Sequence, residues 1–354
     1  MVGAIVGSML VNNTSLASAE AVLTDGEGKE LYVVIAKASF RWRSDGTLEP
    51  IEPPVPIADA DQFAGPPATS GLLTASERTL PKPRVDVLIQ GEIVLGAPAD
   101  QIDCMLEIDG RLVKTLRVFG DRHWRQGATG SMVPSRPRPF VHMPIDWRHS
   151  LGGTDSGDPA CVDLRNPVGR GMHRRIASLE GHPLPNFEDP RAPITDARTL
   201  PVPVGWGPIA PHWQPRSSLA GTYDTRWQEE RFPLLPVDYN PAFLNAAPFD
   251  QQLARYSPGS EVRLGGFTPR RYERFVLPEL APPVTVVDSG TIIEIPSRID
   301  TIVIEPMEQR LSLVARAVHA PRDVEALATA FLGVLGDQQR RALRAGTLVA
   351  ALRT

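Results

Sequence analysis

The chain has 354 residues, 42% hydrophobic and 22% charged, with a formal net charge of −4 and a pI near 6.0. That composition belongs to a folded globular protein and excludes a disordered one. It also excludes the basic footprint of a nucleic-acid binder and a polybasic patch for an anionic membrane surface. No run reaches the ~18 apolar residues that a spanning helix needs, so no membrane insertion is expected. The length fits roughly two domains. With 36 Pro and 29 Gly, turns and short strands are expected in preference to a helical bundle. Cys104 and Cys161 lie far apart and in no CxxC frame, which predicts two buried free thiols in a reducing compartment.

At the start of the chain, Val2 to Leu10 is apolar and Ala17-Ser18-Ala19 resembles a small-residue cleavage site. No Lys or Arg precedes Lys29, however, and Gly3, Gly7 and Ser8 interrupt the run, so a secretory signal is not expected. Met1 to Asn13 reads as extended and Ser15 to Leu23 as a short strand, followed by a hairpin turn at Asp25-Gly26-Glu27-Gly28. Leu31 to Trp42 is the strongest strand in the sequence. After Lys37 it alternates Ala38, Phe40, Trp42 against Ser39, Arg41, Arg43. Ser44-Asp45-Gly46 turns the chain. Arg84 to Leu95 reads as one strand with a bulge at Gly91. Ile102 to Ile108 and Leu112 to Phe119 form a hairpin about Asp109-Gly110.

From Phe119 to Gln252 the pattern breaks down. Five of the six Trp and six of the seven His lie there, among recurrent Pro and Gly. A long connection of this kind is functional or is itself part of the core. Strands resume at Val262 to Leu264, Tyr272 to Leu277, Val284 to Val287, Thr291 to Ile295, Thr301 to Glu305 and Arg310 to Val318, with a turn at Asp288-Ser289-Gly290. After Pro321, Val324, Leu327, Phe331 and Leu335 recur at helical spacing. Gly336 ends that helix and Asp337 caps a second one running to Leu352, with Arg340, Arg341 and Arg344 on its outer face.

The expected fold is therefore mainly β. Antiparallel sheets form a sandwich-like body, the two strand sets pack as two sheets under a long irregular Pro/Gly-rich central stretch, and a helical hairpin closes the chain. Residues 1–320 form one β domain, strand-rich at 1–119 and 260–320 around the irregular 120–259, and 321–354 form a helical segment.

Candidate chemistry is sparse. His142 and His149 are seven apart, with Asp146 between them and Asp155 beyond, but Pro144 and Gly152-Gly153 argue against a shared helix, and zinc spacings are absent. Asn166-Pro167-Val168-Gly169-Arg170-Gly171 does not open a helix after a strand, so it is no phosphate-binding fingerprint. No GxSxG surrounds a Ser. Tyr223, Trp206, Trp213 and Trp227 with Arg216, Arg226 and Arg231 form an aromatic–cation set that suits either a core or a protein interface. No catalytic, cofactor-binding or metal residue is assigned, and no cofactor is expected.

Several segments form an ordered set. They include Val34-Ile35-Ala36-Lys37-Ala38-Ser39-Phe40, Leu116-Arg117-Val118-Phe119-Gly120-Asp121-Arg122 and Gly152-Gly153-Thr154-Asp155. Asn166 to Gly171, Leu184-Pro185-Asn186-Phe187-Glu188-Asp189-Pro190 and Gly207 to Arg216 follow. Ala220-Gly221-Thr222-Tyr223-Asp224, Phe243 to Gln251 and Asp300-Thr301 complete it. On these the chain resembles the DUF2169 family, found in bacterial type VI secretion gene clusters, over roughly Asn12 to Val318. The resemblance implies a cytoplasmic, non-enzymatic adaptor or chaperone that helps load a toxic effector onto the VgrG spike protein, and it carries no catalytic residues. Two alternatives stand beside it: a hydrolase in which His142 or His149 meets Asp121 or Asp155, and a structural component carried on the secreted spike.

Overall fold

Thirteen residues, Glu30–Trp42, form the central strand of the fold. The computed structural model describes residues 10–176, 179–198, 200–324 and 327–345. The central strand belongs to a seven-stranded sheet with the order Gln252–Leu253, Val85–Ile89, Arg298–Glu305, Arg310–His319, Glu30–Trp42, Ala17–Thr24, and Leu48–Pro50 also pairs with Glu30–Trp42. Pairing is antiparallel except between Val85–Ile89 and Arg298–Glu305. A second sheet of five strands runs Phe187–Glu188, Leu112–Phe119, Gln101–Ile108, Glu261–Gly265, Tyr272–Val276.

The β class and the antiparallel sheets are as the sequence predicts. The division of strands is not. Each sheet draws on both ends of the chain: Val262 sits opposite Ile108, and Leu313 opposite Ala38. The two strand sets interleave instead of forming one sheet each.

Alternation along the central strand assigns its two faces. Trp42, with Leu311, Leu313, Ala315, Ile302 and Ile304 of neighbouring strands, joins Cys104, Leu106, Leu116, Val262, Leu264 and Phe275 of the five-stranded sheet in the largest apolar core. Toward the other end of the same face, Tyr32, Val34, Ala36 and Ala317 pack on Val284, Val286, Leu327, Ala330 and Leu332 of a four-stranded sheet. Cys104 and Cys161 are buried and free. Burial pushes the Cys104 thiol far up, out of the range of a reactive thiolate.

The opposite face carries Val33 and Ile35 but also Lys37, Ser39, Asp86, Asp300 and Arg316, all buried. Segment 51–82 covers it and supplies their partners. Lys37 pairs with Glu77 at 2.8 Å, Lys82 with Asp86 at 2.8 Å, and Arg316 pairs with Asp300 while donating to the Glu77 carbonyl at 2.6 Å. A buried charge is tolerated only when paired and hydrogen-bonded. The alternation read from the sequence is therefore one apolar face and one face of internal ion pairs.

Two expected elements are corrected. Arg84 to Leu95 is two strands, Val85–Ile89 and Glu92–Ala99, in different sheets. Gly91 has φ +96° and turns the chain between them. The first helix of the expected hairpin is a strand. Leu327–Leu332 pairs parallel with Leu10–Asn12 and antiparallel with Val284–Asp288. Leu327, Thr329, Ala330, Phe331 and Leu332 are all buried, and a short run buried on both sides has no periodicity that separates strand from helix. A single small helix, Asp337–Arg344, follows, with Gly336 and not Asp337 as its N-cap. The expected extension to Leu352 and the region before Leu10 lie outside the described residues.

His319 joins the large sheet to the four-stranded one through Asp288, with Nε2 to Oδ2 at 2.8 Å. The imidazole holds the Asp288 carboxyl below its ordinary value of 3.8. A carboxyl that gives up its proton more readily when folded contributes stability above that ordinary value, and the contribution is lost as pH falls through the lowered folded value. Asp288→Asn should therefore lose less stability than the natural chain as pH is lowered below the ordinary carboxyl value, measured by urea unfolding across the acid range. Parallel pH profiles for the two proteins would refute the linkage.

Candidate functional site

In the central stretch no described strand exceeds five residues and no described helix exceeds six. Its backbone is held by side chains. Asn245 donates to the Asp86 carboxylate at 2.8 Å and to the Arg84 carbonyl at 2.8 Å, while the Ala246 N–H donates to the other Asp86 oxygen at 2.8 Å. Gln251 donates to the Val87 and Trp206 carbonyls at 2.8 and 2.9 Å and accepts from Lys114 at 2.7 Å. These residues clamp the stretch onto the Val85–Ile89 strand. Farther along, Arg122 pairs with buried Glu188 at 2.5 Å, and Asn166 donates to the Trp147 and Leu151 carbonyls, both at 2.8 Å.

The histidines follow the same logic. His149 Nδ1 meets Asn186 Oδ1 at 2.9 Å, and Asn186 in turn donates to Asp121 at 3.2 Å and to the Phe119 carbonyl at 3.0 Å. Burial lowers the His149 pKa. His142 lies at the surface beside Glu92, 3.2 Å away. Asp155 accepts from the backbone N–H groups of Gly157 and Arg174, both at 2.9 Å. Among the described residues, neither His142 nor His149 hydrogen-bonds Asp121 or Asp155 directly, and no group of three or more His, Cys, Asp or Glu could hold a metal ion.

The aromatic–cation set divides. Trp206 and Trp213 are 1% exposed. Lys114 Nζ lies 5.3 Å from the Trp206 ring centroid. Buried Arg216 donates to the Ile209 and Phe243 carbonyls. These three belong to the core. Tyr223, Trp227 and Arg226 instead belong to an outer lobe with Phe232, a residue the sequence reading did not single out.

That lobe is built from its own motif. Asp224 caps the helix Thr225–Glu230 through the Trp227 N–H at 2.8 Å. Thr222 donates to Asp238 through both its N–H and its hydroxyl, at 2.9 and 2.7 Å. The result is an aromatic fan: Tyr223 and Phe232 contact the Trp227 ring edge-on at 4.7 and 5.7 Å. Tyr223 is 54% exposed, Phe232 66% and Val237 85%.

Beside the fan a groove of about 890 Å³ opens between the lobe and the turn joining Ala17–Thr24 to the central strand. Leu23, Leu31, Leu80, Leu234, Leu235 and Val318 give it apolar walls. Arg231 ties the lobe to that turn, donating to the Gly26 and Leu235 carbonyls at 2.9 Å each. Pro233 and Pro241 also line the groove and remove backbone donors from its wall. An exposed aromatic cluster continuous with an apolar groove is the chemistry of a protein-docking surface.

Fold and surface together define a β-sandwich protein clasped by a side-chain-pinned ribbon, with an apolar groove at one end of its central strand. The chain belongs to the DUF2169 family, described as an uncharacterized protein conserved in bacteria, which matches residues 27–316. No curated protein and no solved structure matches it.

Proposed function

We propose that this chain is a cytoplasmic, non-enzymatic adaptor of type VI secretion that holds a toxic effector and helps deliver it to a VgrG-type spike protein. The observation that carries the reading is the aromatic fan of Tyr223, Trp227 and Phe232 beside the Leu-lined groove. Apolar surface of this kind, supported by a capped helix and fixed turns, loses little conformational entropy on binding. In this reading the groove receives an apolar segment of the effector and the fan forms the centre of the interface. The family resemblance supplies the setting.

The test is pull-down of the effector and VgrG encoded beside this chain, using the natural protein and Tyr223→Ser/Phe232→Ser. Both side chains are exposed, so the fold should survive. Effector capture should fall by about tenfold or more, the scale of losing aromatic anchors. Capture that is undiminished in the double variant rejects the groove. Effector abundance and spike association that are unchanged when this chain is removed reject the adaptor reading. Recovery of this chain in secreted spike material would favour a spike component.

A further inference from the structure

The other end of the central strand holds a second cavity. Trp42, Met105, Arg270, Tyr272 and Glu273 line it, within a volume of about 470 Å³. It lies about 35 Å along the strand from the docking groove at ~3.3 Å per residue, and nothing about it depends on the docking reading.

Its floor is polar. Trp42 is 1% exposed and stacked on Phe275 at 4.8 Å. Its indole N–H and the Gln309 side-chain amide are both directed at the Glu273 carboxyl. Burial raises the pKa of that carboxyl, while Arg270 and hydrogen bonds from Trp42, Gln309 and Thr268 oppose the rise.

The rim is rich in donors. Arg43 is bound to Glu49 at 2.5 Å and Arg263 to Glu261 at 2.5 Å. Arg274 reaches Glu261 only at 3.7 Å. Among the described residues, Arg270 has no salt bridge within 4.0 Å. Four guanidinium groups line the cavity, and Glu49, Glu107 and Glu261 engage Arg43, Arg263 and Arg274, which leaves the Arg270 fork the most open. The open fork favours a ligand that accepts hydrogen bonds, and the surrounding acids disfavour a dianion. Planar guanidinium forks match a carboxylate. The Tyr272 ring, 76% exposed, and Met105 offer a flat apolar wall beside them.

We propose that this cavity binds an organic carboxylate carried on a flat apolar body, its oxygens taken by Arg270 and Arg274 and its body laid against Tyr272 and Met105. The same chemistry is offered by a free aromatic acid and by the C-terminal aromatic residue of a peptide.

The experiment titrates the full chain by calorimetry with 3-phenylpropionate and with acetyl-glycyl-phenylalanine, each beside its own amide, and follows the Trp42 indole N–H by NMR. At least one acid should bind about tenfold or more tightly than its amide and shift the Trp42 signal. Arg270→Ala and Arg274→Ala, both at exposed positions, should each weaken that binding by about tenfold. Glu273→Gln should tighten it by removing a repelling charge. Stronger binding of the phenylpropionate assigns a free acid, and stronger binding of the dipeptide assigns a chain terminus. The proposal is overturned if neither acid binds, if acids and amides bind alike, or if both arginine variants bind as the natural chain does.

Discussion

Replacing Asp86 by alanine is expected to destabilise the chain by about 3–5 kcal/mol, the scale of removing one partner from a buried ion pair. Asp86 is fully buried on the Val85–Ile89 strand. It receives the Lys82 ammonium, the Asn245 amide and the Ala246 N–H, each at 2.8 Å. Alanine leaves the Lys82 charge and two donors without an acceptor in a place water does not reach. Asp86→Asn keeps one oxygen acceptor but not the charge, and should fall between alanine and the natural residue. Equilibrium urea unfolding measures both. The pair Lys82→Met/Asp86→Leu should recover part of the loss, because it removes both charges together. A loss under about 1 kcal/mol for Asp86→Ala would mean that the ribbon is not anchored here.

Gly120→Ala should be equally damaging for a different reason. A Cβ on Gly120 would overlap the Arg138 carbonyl oxygen and lie 3.4 Å from Phe140 Cδ1. The obstacle is backbone, so no rotamer change relieves it. The Gly120 N–H is also bonded to the Asp100 carbonyl at 3.0 Å, which opposes retreat. Overpacking of this kind costs about 1–3 kcal/mol when side chains can move, and more here. Gly110→Ala provides the contrast. Gly110 has open space around its Cβ position but φ +65°, so alanine there should cost about 1–2 kcal/mol through the left-handed backbone alone. Thermal unfolding of the two variants ranks them, and a Gly120 variant no worse than the Gly110 variant would contradict the steric account.

These two positions illustrate how unevenly the fold was legible. The hairpin about Asp109-Gly110 could be read from two residues and the alternation beside them, because a tight turn is a local event. The demand on Gly120 could not, since its obstacle is a carbonyl eighteen positions away. The same holds for the helix expected at Val324 to Leu335. Its spacing is satisfied equally by Leu327–Leu332 as a strand, and only the arrival of Leu10–Asn12 and Val284–Asp288 on either side supplies the hydrogen bonds that decide.

The aromatic fan was half legible. Trp206, Trp213, Trp227 and Tyr223 look alike in sequence, with an arginine near most of them. Burial separates them, placing the first two in the core and the last two on the outer lobe. Phe232 carried no signal, because an exposed ring and a buried ring have the same neighbours in the chain. The cavity floored by Trp42 was invisible for a related reason: its residues come from the central strand, the turn that follows it and the five-stranded sheet.

By itself the sequence determined the β class, most turns, the apolar and polar alternation of the central strand, and the ordered motifs that place the chain in its family. Those are properties of residues a few positions apart, where backbone preference and side-chain period act directly. The tertiary structure alone decided which strands share a sheet, which face holds the ion pairs, and which aromatic rings reach the surface. Asp86 and Asn245 lie 159 positions apart and still share one hydrogen bond; a contact of that range is selected by the packing of the whole chain, and leaves no local pattern to read.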